Sequence, residues 1–321
     1  LNQTAPAEHP VLRPHRLAVG FYDEDPATGK IVRTDRFELD VDGESTVVAA
    51  AAGKKRPAFI LVNDDDLTYT KLRFDADSLS FALANLQRFD DALARAVVWL
   101  SLWDMTRDGD LAAEKFIDTT LALLATETES TTFRYALSCM STTAWHYTAP
   151  DRRADVVKHV AKELWKLVIA APGGSDQQFQ LVTAYLGYGE EGDAEFAEHA
   201  QGLFDGSLIV AGLEIDNNFT WTIINALSSV KLIDQAGIDA QLAKRDTTEN
   251  REFALGAHAV RGDAAAKEWA WNEVLNNADL TNMQLEAVAR GFGATPRPDL
   301  AEPYAAKYYD VVDWVWKNKS F

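Results

Sequence analysis

Two long segments of this chain contain no proline, and they limit the possible folds more than any other feature. Proline is absent from Ala58 to Ala149 and again from Gly173 to Thr295. Because proline removes a backbone donor and clashes with the preceding turn, long segments without it suit helices. Apolar residues recur there every three or four positions, as at Leu93, Val97 and Leu100. This spacing is typical of one helix face, so most of the chain is predicted to be helical.

About a dozen helices are predicted from this periodicity. They lie near residues 77–88, 90–106, 110–126, 130–147, 151–170, 176–187, 193–204, 217–231, 236–244, 248–261, 263–276, 281–292 and 300–317. The connectors between them, such as RDGD and EEGD, are short, which favours antiparallel neighbours. This rhythm resembles an α-solenoid of HEAT-like helix pairs, although no strict repeat signature is present. Residues 76–321 are therefore predicted to form an α-helical superhelical domain.

The first 75 residues have a different pattern. They contain five of the ten prolines and several short segments with alternating apolar and polar residues. Such segments, separated by turn-rich breaks, are typical of β-strands. The predicted strands are Leu12–Tyr22, Lys30–Val41, Ser45–Ala49, Ala58–Val62 and Thr68–Phe74. Residues 1–75 are therefore predicted to form an antiparallel sheet or a small β-sandwich.

The charge of the chain excludes some classes of partner. There are 31 basic and 49 acidic residues, a net charge of −18, and residues 76–321 account for −15 of it. Nucleic-acid binding needs a basic surface, and binding to an anionic membrane is weakened by negative charge. No apolar run approaches the roughly 18 residues of a membrane span. The single cysteine, Cys139, excludes an internal disulfide, and we expect a cytoplasmic protein.

A search for catalytic motifs is negative. None of the six histidines begins an H-E-x-x-H zinc motif, and no G-x-S-x-G, Walker or G-x-G-x-x-G sequence occurs. His159 and Glu163, like Glu195 and His199, are four residues apart and are predicted to be ordinary helix-surface pairs. Cys139 is predicted to be a small core residue. We therefore expect no catalytic residue, metal ligand or cofactor in this chain.

An acidic cluster between two predicted strands is the most conspicuous motif. It lies in the sequence LVNDDDLTYTKLRFD, Leu61–Asp75. It does not fit a calcium-binding EF-hand loop, because the glycine required at the sixth position and the glutamate required at the twelfth are absent. Asparagine and aspartate side chains favour turns by binding nearby backbone amides. We therefore predict a structural turn formed by Asn63, Asp64, Asp65 and Asp66.

Four segments together resemble one known family. They are RPHRLAVGFYD (Arg13–Asp23), LVNDDDLTYTKLRFD (Leu61–Asp75), ALARAVVWLSLWDMTRDGDL (Ala92–Leu111) and AEPYAAKYYDVVDWVW (Ala301–Trp316). In this order they are similar to the C-terminal half of aminopeptidase N, from the gluzincin zinc aminopeptidases and most closely the actinobacterial type. Matching segments occur along essentially the whole chain, so the resemblance does not depend on one short motif.

The resemblance implies a domain order and a function. Residues 1–75 would be a small β-sandwich, incomplete at its N-terminus, and residues 76–321 a bowl-shaped helical domain, truncated at its C-terminus. The family's zinc motif lies upstream of these parts and is absent here. The chain would then be a non-catalytic fragment that partners the upstream catalytic domain of the same polypeptide. Zinc would belong to the full-length enzyme, and the helical bowl would control access of peptide substrates.

One helix carries candidate residues for the wall of this bowl. Arg95, Trp99, Trp103 and Arg107 recur every four residues, and Arg134 follows on a later helix. These residues would contact peptides if their face lines the bowl. The alternative is structural, because tryptophans one helical turn apart commonly pack in a core. Two further functions remain open from the residues alone: a free-standing HEAT-like interaction scaffold and an independent active site.

Overall fold

The computed structural model describes residues 1–294 and 297–319. The chain divides into two compact units, Leu1–Val160 and Ala161–Phe321. We refer to these as the N-terminal unit and the C-terminal unit. The strands end at Asp64 and the first helix begins at Ala76. The chain is mainly α-helical with a short N-terminal sheet, as predicted. The domain boundary predicted after residue 75 stays a prediction.

The sheet has three antiparallel strands in the order β2-β1-β3. The strands are β1 (His15–Glu24), β2 (Ile31–Val41) and β3 (Phe59–Asp64). Strand β1 is central, and Val19 pairs with Phe37 on one side and with Val62 on the other. The residues from Leu17 to Tyr22 are buried, because a central strand is covered on both faces.

Two of the five predicted strands are wrong. Ser45 forms only an isolated bridge with Asn2, and residues 68–74 form no strand. Side chains hold this second segment instead: Lys71 and Arg73 bind the carboxylate of Asp108. The alternating pattern there arises from these ion pairs and not from strand pairing. The described residues thus contain one three-stranded sheet, without the second sheet of a sandwich.

Five helices begin in the N-terminal unit. They are α1 (Ala76–Asn85), α2 (Ala92–Arg107), α3 (Ala113–Leu124), α4 (Ser130–Thr142) and α5 (Arg153–Ala170). A turn of π-helix, Thr143–Tyr147, follows α4. Aspartate side chains accept backbone N–H groups at the starts of α1 and α2. Such caps satisfy donors that have no partner inside the helix.

The helices of the C-terminal unit alternate between two layers. They are α6 (Asp176–Leu186), α7 (Ala194–Asp205), α8 (Asn217–Ser229), α9 (Gln235–Lys244), α10 (Thr248–Val260), α11 (Ala264–Asn276), α12 (Asn282–Gly293), α13 (Pro298–Ala301) and α14 (Ala305–Asn318). Helix α8 packs against α6 and α10, and α10 packs against α12. Helices α7, α9 and α11 pack against these even-numbered helices. Alternate helices therefore lie side by side, as expected for helix pairs.

The predicted helix starts agree with these bounds to within three residues. The last predicted helix, residues 300–317, is not continuous in the structure. It is divided into α13, a 3₁₀ turn and α14. Pro303 lies at the start of that turn, where its missing N–H prevents α13 from continuing. No helix among the described residues is long and apolar enough to span a membrane.

Glycines bring α10 and α12 unusually close. A Cβ atom on Gly291 would lie 2.5 Å from the carbonyl oxygen of Gly256 and 2.8 Å from Cβ of Ala259. Lys267 of α11 is fully buried beside this contact. Its Nζ donates to the carbonyl oxygens of Ala259 (2.5 Å) and Phe292 (3.2 Å). Because helix C-termini carry partial negative charge, this ammonium ties the ends of α10 and α12 together.

Candidate functional site

The predicted turn at the end of β3 is held by its own asparagine. Asn63, Asp65 and Asp66 all have positive φ angles of 52° to 65°, a conformation that asparagine and aspartate tolerate better than most residues. The Asn63 side chain accepts the N–H of Thr68 at 3.0 Å and donates to its carbonyl at 2.8 Å. These bonds close the turn from inside, and the structure uses Asn63 to shape the backbone.

Arginines occupy the carboxylates of this turn. Asp64 is buried and accepts the Tyr22 hydroxyl at 2.6 Å and the Arg33 guanidinium at 2.8 Å. Asp65 binds both Arg33 and Arg36 at 2.7 Å. Burial opposes ionisation, but the hydrogen bonds from these arginines lower the pKa of Asp65. The two carboxylates therefore face arginines from β2, and Asp64 and Asp65 do not form an oxygen cage of the kind that calcium requires.

Zinc has no fitting set of ligands in the part of the chain that the structure describes. Across residues 1–294 and 297–319, no three His, Cys, Asp or Glu side chains meet as a metal ion would need. A catalytic zinc ion takes three protein ligands. We therefore derive no metal-dependent step from these residues.

Two of the predicted wall residues are buried in the N-terminal unit, and a third, Arg95, is partly buried. Trp99 and Trp103 have relative exposures of 1% and 7%, and Nε1 of Trp99 donates to Oγ1 of Thr120 at 3.0 Å. The Arg95 guanidinium binds the buried carboxylate of Glu127 at 3.0 and 3.1 Å. Trp99 and Trp103 are core residues of α2, and the contribution of these three residues to a peptide-access wall stays a prediction.

Arg107 and Arg134 are exposed. The Arg107 guanidinium lies over the Trp103 ring, 5.9 Å from its centroid. Arg134 projects from α4, a different helix. Their contribution to a peptide-access wall stays a prediction.

His159 and His199 each contact a residue of another helix, and Cys139 is buried. His159 binds Asp118 at 3.0 Å, and the His199 ring stacks on Trp165 with centroids 4.0 Å apart. Nδ1 of His199 also lies 2.9 Å from the Tyr185 hydroxyl, and burial lowers the pKa of His199. Cys139 is buried, and its burial raises the pKa of the thiol to about 11. This thiol is therefore protonated and is a poor nucleophile.

A surface groove between α6 and α8 was missed by the sequence patterns. Its central cavity of about 200 Å³ is lined by Thr183, Gly187, Thr222, Asn225 and Ser229, among others. A second cavity of about 500 Å³ shares Ser229 and continues past Gly189, Glu190 and Glu191. We call these two neighbouring cavities, which share Ser229, the α6–α8 groove. Its residues are spread along the chain and are individually ordinary, so no local motif marks them.

Helix ends make one side of the groove electronegative. Helices α6, α8, α10 and α12 end beside it, and Val260 and Ala294 at the ends of α10 and α12 line the central cavity. The last carbonyls of a helix lack internal partners and carry partial negative charge. Glu191 adds a full charge and binds Lys231 at 3.0 Å and Arg297 at 3.2 Å. This end of the groove therefore favours cations.

Comparison with known proteins identifies the family. The model of the ERAP1-like C-terminal domain matches residues 59–321. The chain belongs to the ERAP1-like C-terminal domain family. Aminopeptidase N from Streptomyces lividans is 35% identical over 326 residues, covering 100% of this chain and 38% of that protein. The chain thus spans well under half the length of this relative, and the resemblance to the C-terminal part of aminopeptidase N is confirmed.

Within this family assignment, two sites differ in accessibility. The α2 stripe predicted from sequence is largely core. The α6–α8 groove is open, has both polar and apolar lining residues, and lies inside the matched segment. The groove is therefore the candidate functional site of this ERAP1-like C-terminal domain.

Proposed function

We propose that this chain is the non-catalytic C-terminal part of a zinc-dependent aminopeptidase that removes N-terminal residues from peptides. The observation that carries this proposal is the 35% identity to Aminopeptidase N along the whole chain, over 38% of that protein. The zinc ion and the chemistry would then belong to an upstream catalytic domain of the same polypeptide. We also propose a cytoplasmic location, without nucleic acid or a membrane as partner, in keeping with the acidic composition.

The helical region would cap the active site and control the access of peptide substrates. Its net charge of −15 over residues 76–321 supports this part of the proposal. A surface of one sign raises the local concentration of oppositely charged ligands and speeds their encounter. Basic peptides would be favoured, and salt would reduce the preference because it screens exposed charges.

Two preparations test the assignment to a larger enzyme. The longer reading frame should encode an H-E-x-x-H motif upstream of Leu1, and its product should bind zinc and cleave an aminoacyl-arylamide. The 321-residue chain alone should do neither, since the described residues offer no zinc ligand set. Stoichiometric zinc with chelator-sensitive turnover in the short chain would overturn the proposal. A reading frame without the motif would favour the HEAT-like interaction scaffold instead.

A further inference from the structure

We propose that the α6–α8 groove binds the main chain of an extended peptide and places one basic side chain against Glu191. This inference rests on the proposed function, because it names the substrate chemistry that the helical region selects. It assigns two parts to the groove: an uncharged central cavity with polar and apolar lining for the main chain, and a cation subsite at Glu191.

The central cavity offers hydrogen bonds without fixed charge. Thr183, Thr222, Asn225 and Ser229 line it from two neighbouring helices. Asn225 is exposed, and its amide has no hydrogen-bond partner among the residues that the structure describes. An asparagine amide both donates and accepts, as does each peptide unit of an extended chain. This lining suits a main chain of any sequence better than it suits a particular side chain.

Small residues leave room for a backbone to approach. Gly187 and Ala226 lie between the polar side chains, and Ala294 closes one end. With almost no side chain at these positions, a ligand can come close to the helix backbones. The cavity has a volume of about 200 Å³, and Leu186 and Val260 complete its lining.

The subsite at Glu191 already holds cations of the chain itself. Lys231 has a φ of 61°, a strained conformation for a residue that is not glycine. Its ammonium nevertheless binds Glu191 at 3.0 Å, and Arg297 binds the same carboxylate at 3.2 Å. Two resident cations therefore share the Glu191 carboxylate, which shows that this carboxylate accepts positively charged groups.

A ligand cation can take the place of Arg297 without leaving that arginine unpaired. Arg297 also binds both carboxylate oxygens of Asp299, at 2.9 and 2.8 Å. Its single bond to Glu191 is longer and lies on the surface, where such pairs contribute little. The cavity of about 500 Å³ is large enough for a lysine or arginine side chain beside it. An acidic side chain or a peptide carboxylate would meet repulsion from Glu191 and the helix ends.

Binding of matched peptides to the 321-residue chain tests the inference. The probes are dye-labelled acetyl-Ala-Ala-X-Ala-Ala-amides in which X is lysine, norleucine or glutamate, read by fluorescence anisotropy. We expect the lysine probe to bind at least about tenfold more tightly than the glutamate probe at low salt, with norleucine between them. High salt should reduce the differences in affinity among the three probes, because the preference is electrostatic. Equal affinity for the three probes, or tighter binding of glutamate, would overturn the cation subsite.

Two variants locate the site. Asn225→Trp fills the central cavity and should lower the affinity for all three probes at least about tenfold. Asn218→Trp is the matched control, because Asn218 is also exposed on α8 but lines neither cavity. Glu191→Gln should remove the preference for lysine and leave the norleucine probe unchanged. Equal affinities for the two tryptophan variants, each with an unchanged circular-dichroism spectrum and melting temperature, would show that the groove is not the binding site.

The outcomes separate this inference from the proposed function. Peptide binding to the isolated chain needs neither zinc nor turnover. If the longer protein is a zinc aminopeptidase and the isolated chain binds no probe, the groove assignment alone is wrong. If the probes bind as expected and the longer protein has no aminopeptidase activity, the groove stands as a peptide-binding site and the proposed function is wrong.

Discussion

The two units neutralise their buried charges in different ways. In the N-terminal unit, Glu127 is buried and its carboxylate binds Arg95, and the buried Asp64 binds Arg33. In the C-terminal unit, the buried ammonium of Lys267 lies among the carbonyl oxygens of Ala259, Gly291 and Phe292. One unit uses opposite side-chain charges, and the other uses the ends of helices.

The two arrangements should respond differently to the loss of a residue that contacts the buried charge. A side-chain ion pair depends on two residues, and removing one leaves a buried charge without compensation. Helix ends supply partial charge from the backbone. A buried charge held by helix ends therefore involves only one side chain. An edge built from several helix ends can therefore bind a resident cation or a cation of a ligand. Removing one partner of a buried charge should therefore lower the stability of the N-terminal unit more than that of the C-terminal unit.

The two units should also respond to pH in opposite ranges. Burial opposes ionisation of Glu127, but hydrogen bonds from Arg95 and the backbone lower its pKa below the usual 4.5. The folded state then binds fewer protons than the unfolded state, so this pair stabilises above that value and less as pH falls. Burial lowers the pKa of Lys267 from 10.5 to about 8. Stability from this lysine should therefore rise between pH 8 and 10.5, as the folded state loses its proton first.

The largest expected effect comes from breaking the pair in the N-terminal unit. Arg95→Met should lower the free energy of unfolding by about 3–5 kcal/mol, because Glu127 would remain buried and unpaired. Urea unfolding at pH 7 measures it. Adding Glu127→Gln to the same variant should recover part of the loss. A pair nearer the surface provides the control: Lys166→Met, which removes one partner of Glu163, should lower the free energy of unfolding by less than about 0.5 kcal/mol. Similar losses in both methionine variants would contradict the comparison.

A smaller effect is expected at the helix ends. Lys267→Met should lower the free energy of unfolding by about 1–3 kcal/mol at pH 7, since it leaves helix-end carbonyls without their donor. The loss of a desolvated charge offsets part of this cost. The stability difference between the native chain and Lys267→Met should grow from pH 8 to 10.5, measured by urea unfolding at each pH. A difference that is constant or shrinks over this range would show that Lys267 stays charged in the folded state.

In the turn after β3, Asn63→Ala should lower the free energy of unfolding by about 0.5–2 kcal/mol. This change removes the bonds to Thr68 and places alanine at a φ of 58°. Asn63→Gly removes the same bonds, but glycine adopts positive φ readily. This variant should therefore lower the free energy of unfolding by less than Asn63→Ala. Thermal melts measure both variants. Calcium should leave the melting temperature of the native chain unchanged, because arginines occupy Asp64 and Asp65. A calcium-dependent rise that Asp64→Ala abolishes would show an ion site at the turn.

The smallest expected effect concerns a stacked histidine of the C-terminal unit. Burial lowers the pKa of His258, whose ring stacks on Trp269 with centroids 3.8 Å apart. The unfolded state therefore binds more protons near pH 6, and stability should fall as the pH drops below the usual 6.5. His258→Phe keeps the stack and should reduce the loss of stability between pH 7 and 5, measured by urea unfolding at each pH. His159→Phe, at an exposed histidine, is the control. An equal reduction in both variants would exclude burial as the cause.

Helix positions were predictable because their signals are local. Apolar periodicity, caps and the absence of proline act within one or two turns, and they located nearly every helix start. The false strands near Ser45 and Thr68 show the limit of such patterns. Alternation at residues 68–74 does not reveal that Lys71 and Arg73 bind Asp108, more than thirty residues away. Only the fold brings these charges together.

The candidate site was less predictable for the same reason. Trp99 and Trp103 lie one helical turn apart, and that spacing cannot tell a core face from an exposed one. The groove combines residues of α6 and α8 with the ends of α10 and α12. Thr183 and Asn225 carry no catalytic or ligand-binding signature by themselves. Their shared cavity follows from the packing of alternate helices, which depends on tertiary contacts.

In the proposed function, the acidic helical region selects peptides and takes no part in the chemistry. The direct measurement is kcat/KM of the full-length enzyme for a basic pentapeptide and for a single-residue arylamide, at low and high salt. The variant Glu190→Lys/Glu191→Lys reverses charge at the groove, and Asp239→Lys/Glu268→Lys reverses as much on the exposed surfaces of α9 and α11.

The account predicts that the groove variant lowers kcat/KM for the basic peptide about tenfold at low salt. The arylamide should be nearly unaffected, the control variant should have a smaller effect on the peptide, and high salt should reduce the differences. Equal losses on the peptide and the arylamide would mean that the helical region supports the geometry of catalysis, and the claim of peptide selection would be wrong.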